Sequence, residues 1–167
     1  MAVIMLGAIE TAEGMLAYTF WHLLHHEWAR DACRSDAGAV TSAIEESLRL
    51  EPAATRVDRY ATRDVSLEGA SIRRDDLVIV SLAAANRDPK VFEQPDEFRL
   101  DRTNGRQHLA FAVGPHTCVG QPMARFETAA AVSALLDAWP AVTLDPEASQ
   151  PPTGLVFRKP PAITVSG

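Results

Sequence analysis

Cysteine is nearly absent: the 167 residues hold two, Cys33 and Cys118. That excludes a disulfide scaffold and a Cys-rich zinc module, and it suits a reducing cytoplasm. Basic charge is short too, with 16 Lys and Arg against 22 Asp and Glu and a net charge of −6. A chain so balanced is a poor general binder of nucleic acid or of an anionic membrane. No apolar run reaches the roughly 20 residues that cross a bilayer. The N-terminal run before Glu10 also lacks the basic start and cleavage site of a signal peptide. There is no repeat and no low-complexity linker. What remains is 47% hydrophobic and 23% charged, the composition of a globular chain rather than a disordered one or a coiled coil. The length fits one domain or a piece of a larger one, and a domain of this size buries about two-thirds of its unfolded surface.

The hydrophobic pattern predicts a helix over 3–34, broken near His25–His26. Its apolar start carries no capping residue, which fits a buried first helix or the interior of a longer one. A second helix is expected over 41–50, capped by Thr41 or Ser42 and stopped by Pro52. Short β-favouring pieces follow at Arg63–Leu67, Ala70–Ile72 and Leu77–Ser81, separated by Glu68-Gly69 and Asp75-Asp76. Residues 86–110 are irregular, of the kind of long loop kept for function. A strong helix is expected from Gln121 to Ala138, ended by Pro140, and two short strands at Gly154–Phe157 and Ala162–Val165. The class is α+β, mostly α-helical with small β-sheets.

Charge is uneven. Arg99, Arg102, Arg106 and Arg125 make a basic island on an acidic chain, which reads either as ordinary surface variation or as a docking patch for an acidic partner or anionic cofactor groups. His22 and His26 share a helix face, but no third ligand accompanies them, so a solvated face outweighs a metal site. Trp21, Trp28 and Trp139 read as packing residues, and Cys33 as an unpartnered thiol.

The informative segment is Phe-Ala-Val-Gly-Pro-His-Thr-Cys-Val-Gly, residues 111–120. Gly114 and Gly120 bracket Cys118 and permit a tight backbone excursion. A helix begins just beyond, and free amides at a helix start favour negative charge and can hydrogen-bond a sulfur, tuning its donation to a metal. One thiolate makes neither a structural zinc site nor an iron–sulfur cluster. It can be the single protein ligand of a haem, because the porphyrin supplies four nitrogens.

Residues 111–120 match F-x-x-G-x-H-x-C-x-G, and on them the chain resembles the cytochrome P450 family in its soluble bacterial form. Other segments match in order. Glu46-Ser47-Leu48-Arg49 is similar to the family's Glu-x-x-Arg pair, and Ala83–Pro89, Phe98–Arg102 and His108–Phe111 resemble the stretches that lead to the cysteine loop. Gly7-Ala8-Ile9-Glu10-Thr11 resembles the oxygen-binding stretch of the family's I helix, with Ala8 where a Gly is usual.

The resemblance implies roles. Cys118 is the axial thiolate of the iron of a haem b, and Phe111 screens the sulfur. Gly114 and Gly120 shape the loop, and His116 and Arg59 hold haem propionates. Glu10 and Thr11 form an acid–alcohol pair that relays protons to bound oxygen, the alternative being a Glu10 that faces solvent and a Thr11 that bonds its own helix backbone. Glu46 and Arg49 are a structural pair that braces the loop from behind, with Arg99 or Arg102 as a third member. The resemblance runs from the middle of the I helix to the C-terminus and covers less than half of the family's domain. Residues 1–167 are therefore read as a single partial domain, its N-terminal half absent and its distal haem pocket left with one wall. A homodimer or a separate chain is expected to cover that side, and a redox partner such as a ferredoxin to supply electrons. The implied reaction is O2-dependent oxidation of a small organic substrate. The alternative is a P450-like accessory or haem-binding protein without oxygenase activity that acts with a partner chain.

Overall fold

The computed structural model describes residues 2–167, with side chains described from residue 7 onward, so the side chains of the apolar start lie outside it. Helix α1 runs Ala2–His25, α2 Glu27–Ser35 and α3 Ala37–Leu50. The first two are the expected long helix, broken at His26. There the backbone leaves helical angles, and the His26 ring stacks flat on Phe98 at 5.0 Å between centroids. Helix α3 starts earlier than expected. The Asp36 carboxylate accepts the Gly38 N–H at 2.8 Å and caps the first turn. Thr41 instead bonds back to the Ala37 carbonyl from within the helix.

Strands β1 (Arg56–Tyr60) and β4 (Leu77–Ser81) pair antiparallel, with Asp58 opposite Ile79. Strands β2 (Val65–Leu67) and β3 (Ala70–Ile72) form a hairpin. Its two loop residues, Glu68 and Gly69, both take positive φ (48° and 84°), the tight turn whose twist suits a two-residue hairpin. β1 was not expected, because Arg, Asp and Arg break its apolar alternation. Helix α4 (Leu82–Ala85) is one turn, and α5 spans Gln121–Ala138. Of the two expected tail strands only Ala162–Val165 has a counterpart, β6 (Val165–Ser166), and it pairs with β5 (Thr143–Leu144), which was not expected. Residues 154–157 are held by single contacts, the Val156 carbonyl accepting the Thr55 N–H at 2.8 Å.

The core lies where α1, α2, α3 and α5 meet. Met15, Leu23, Ala29, Val40, Ile44, Leu48, Val132 and Leu136 fill it, joined by Phe98 from the irregular segment. Cys33 is buried there, and burial, with Asp36 nearby, pushes its thiol up to about 11. Trp28 and Trp139 are half exposed rather than packed, correcting the sequence reading.

Candidate functional site

The site is built at the start of α5. The Cys118 N–H donates to the Phe111 carbonyl at 2.9 Å, closing the loop on itself. Within it, the Thr117 N–H and hydroxyl both donate to the Gly114 carbonyl, at 3.1 and 2.9 Å. Gly114 has φ +71°, and an added Cβ there would meet nothing, so the requirement is one of backbone conformation. Ala112 holds φ +54° without that freedom, a strain of about 1–3 kcal/mol that the surrounding bonds must hold. A Cβ on Gly120 would lie 3.8 Å from the Cys118 sulfur, so Gly120 backs the thiol closely.

The Cys118 thiol is exposed and borders a cleft of about 420 Å³. Thr11, Ala12 and Met15 of α1 form one wall, and Phe111, His116 and Gly120 lie on the side of the cysteine loop. Ala53, Val57 and Leu82 close a third side. The lining is mostly small and apolar.

Five of the sequence candidates thus meet at one cleft: Thr11, Phe111, His116, Cys118 and Gly120. Gly114 stands behind it in the turn. Arg59 does not line it; its guanidinium donates to the Asp58 carbonyl at 2.8 Å. It does follow Val57 by two along β1, so it shares the strand face that borders the cleft. Glu10 and Thr11 part company. The Thr11 hydroxyl donates to the Gly7 carbonyl at the cleft wall. Glu10 is turned to Lys159, whose ammonium it shares with Glu13 at 3.1 and 2.7 Å.

Behind the loop, two adjacent carboxylates of α3 anchor two networks. Glu46, 1% exposed, takes both forks of Arg49 at 2.8 Å. Arg102 is the third member, its Nε 3.0 and 3.1 Å from the two Glu46 oxygens. Arg99 contributes only its backbone N–H at 3.2 Å and pairs its side chain with Asp101. Arg49 also donates to the carbonyls of Asn86, Pro95 and Glu97, which pins the irregular segment.

The second network was not foreseen. Glu45 takes Arg125 at 2.7 and 3.0 Å and His108 at 3.0 Å, with Arg106 at 3.4 Å. Burial opposes its ionisation, but the hydrogen bonds from His108 and Arg125 prevail and hold the carboxyl down at about 2. Nothing local signals this, because the partners lie far along the chain. Each of the four arginines of the basic island has a carboxylate partner, but they share three carboxylates, of which Glu46 also serves Arg49. His22 and His26 both stack on Phe98, and no cluster of metal-ligating side chains occurs among the described residues.

The family model for cytochrome P450 matches residues 38–165, including both networks and the whole cysteine loop. The chain belongs to the cytochrome P450 family. It is 32% identical to the pulcherriminic acid synthase of Bacillus subtilis over 98% of its own length and 42% of that protein's. It is 37% identical to a vitamin D3 dihydroxylase of Streptomyces griseolus over 99% and 39%. Among solved structures, the P450 PksS of the Bacillus subtilis bacillaene polyketide synthase superposes with a TM-score of 0.90 at 30% identity, over 98% of this chain and 43% of that one. The chain therefore spans about two-fifths of the length of these P450 relatives.

P450 membership implies a haem cofactor, and the residues present fit one. The donor set is a single thiol open to an apolar cleft, too few ligands for zinc and sufficient for a porphyrin iron. Bacterial P450s typically draw electrons from redox partners. No helix among the described residues is long and apolar enough to cross a membrane.

Proposed function

We propose that this chain is the haem-thiolate portion of a P450 monooxygenase that oxidises a small organic substrate with O2. The observation that carries the reading is the Cys118 thiol at the start of α5, open to an apolar cleft whose facing wall holds Thr11. When bound there, haem b supplies the activation of oxygen with two electrons. The chain's own residues do the rest. Cys118 holds the iron as a thiolate, and Phe111 keeps water from the sulfur. His116 and Arg59 take the propionates, Arg59 by swinging along its strand face toward the cleft. Thr11 presents a hydroxyl proton at the cleft wall. Glu10 resupplies it once released from Lys159.

In this reading residues 1–167 are one part of a larger haem domain. A second copy or a separate chain covers the distal side, where Ile9 of α1 is exposed and apolar. A redox partner such as a ferredoxin delivers electrons, and the location is the cytoplasm, where both thiols stay free. The test is a haem titration of the purified chain and of Cys118→Ala, followed by absorbance. Saturable uptake with a thiolate-type ferric spectrum, lost in Cys118→Ala, supports the assignment. Equal uptake by both proteins overturns it.

A further inference from the structure

We propose that Glu45 is a positioning residue for the Cys118 loop, clamping both of its flanks to α3 through one buried carboxylate. The proposal rests on Cys118 as the iron ligand and adds what sets the sulfur's place. The approach to the loop is held by His108. Its Nδ1 accepts the Ala110 N–H at 3.1 Å, so the ring proton sits on Nε2 and points at Glu45, 3.0 Å away. The exit from the loop is held by Arg125, whose Nε and Nη2 bond the two Glu45 oxygens. Its remaining fork donates to Gln121 at 2.8 Å, and its guanidinium lies 4.6 Å over the Phe111 ring. Phe111 in turn accepts the Cys118 N–H. Each flank thus reaches the cysteine within a few covalent or hydrogen-bonded steps.

The base of the clamp is rigid. The Glu45 side chain is 5% exposed, and its neighbours Ile44 and Leu48 on α3 belong to the core. Its work is distinct from that of Glu46, which ties residues 93–102 and has no direct bond to the loop. A single carboxylate gripping both sides of a ligand loop limits how far the ligand atom can drift, the role outer partners play around metal ligands.

The experiment is hydrogen exchange on the full chain, with and without haem, for wild type, Glu45→Gln and Arg125→Gln. In Glu45→Gln the amides of 109–121 are expected to exchange at least tenfold faster, while core amides of α1 and α3 keep their rates. Haem affinity is expected to weaken about tenfold, with the Cys118-dependent spectrum retained. Arg125→Gln alters the more exposed end of the clamp and is expected to show the same pattern at about threefold. It decides the matter if Glu45→Gln loosens the whole core. Unchanged exchange over 109–121 in Arg125→Gln and in a folded Glu45→Gln overturns the proposal. The haem-free arm is independent of the ligand assignment: a wild-type chain that takes no haem sinks the proposed function and leaves the clamp to be judged on exchange alone.

Discussion

The two sides of the cleft are held in different ways. Behind Cys118, three elements distant in sequence converge on Glu45 and Glu46, and Arg49 and Arg102 also pin backbone carbonyls. Across the cleft and beyond it, the first described turn of α1 and the β1–β4 sheet carry exposed apolar side chains. Ile9, Tyr60, Leu77 and Ile79 stand exposed, and the last three lie on the sheet face turned away from the cleft. The side that carries the proposed iron ligand is braced from within, whereas the other presents exposed apolar side chains. A metal ligand needs a fixed place, and this bracing would supply one if Cys118 holds the iron.

The contrast is broken most severely by Glu46→Ala. Arg49, wholly buried, would lose its only carboxylate. Stranding a buried charge costs about 3–5 kcal/mol, and denaturant titration is expected to show that loss or no folded chain at all. Truncating the shared core where α1 packs on α3, as in Leu23→Ala, is expected to cost about 2–5 kcal/mol by the same measurement.

Acid separates the contributions. Burial first, then the charges of His26 and His25, lower His22 from 6.5 to about 3. Between those values the unfolded chain holds a proton that the folded chain does not. Stability is therefore expected to fall by about 1.4 kcal/mol per unit as pH drops below 6.5. Glu45 acts through a lower window. Its clamp is fully present above 4.5 and lost as pH falls toward 2. Urea midpoints across pH should lose the upper slope in His22→Gln and the lower slope in Glu45→Gln.

The open side should barely respond. Ile79→Lys is expected to change stability by no more than about 0.5 kcal/mol while reducing self-association in light scattering, because the residue is half exposed on an unpaired sheet face. Lys159→Gln removes a surface ion pair, and its expected effect on stability is smaller than about 1 kcal/mol. A large loss of stability in either variant would mean that the open side is braced after all.

The sequence made the local features legible and the distant ones obscure. Helix α5 is bounded by Gln121 and Pro140, and its range was read directly. The break at His26 and the Glu68-Gly69 turn were likewise visible, because each depends on a few adjacent residues. The cysteine loop announced itself by spacing, and five of its associated candidates do share one cleft. Strand β1 was missed because its charged residues hide the alternation. A Thr11 bonded to its own helix was among the readings, but the hold of Lys159 on Glu10 was missed, because Lys159 comes from the far end of the chain. Glu45 with His108 and Arg125 was missed for the same reason: a contact across the whole fold leaves no local pattern.

The most direct test of the central claim is the absorption spectrum of the reduced, carbon monoxide-bound chain after haem loading, compared with Cys118→Ala. The expected result is a red-shifted, thiolate-type Soret band in the wild type that is absent in the variant. A band indifferent to the substitution, or a wild-type chain that takes up no haem, would contradict the assignment of Cys118 as the iron ligand.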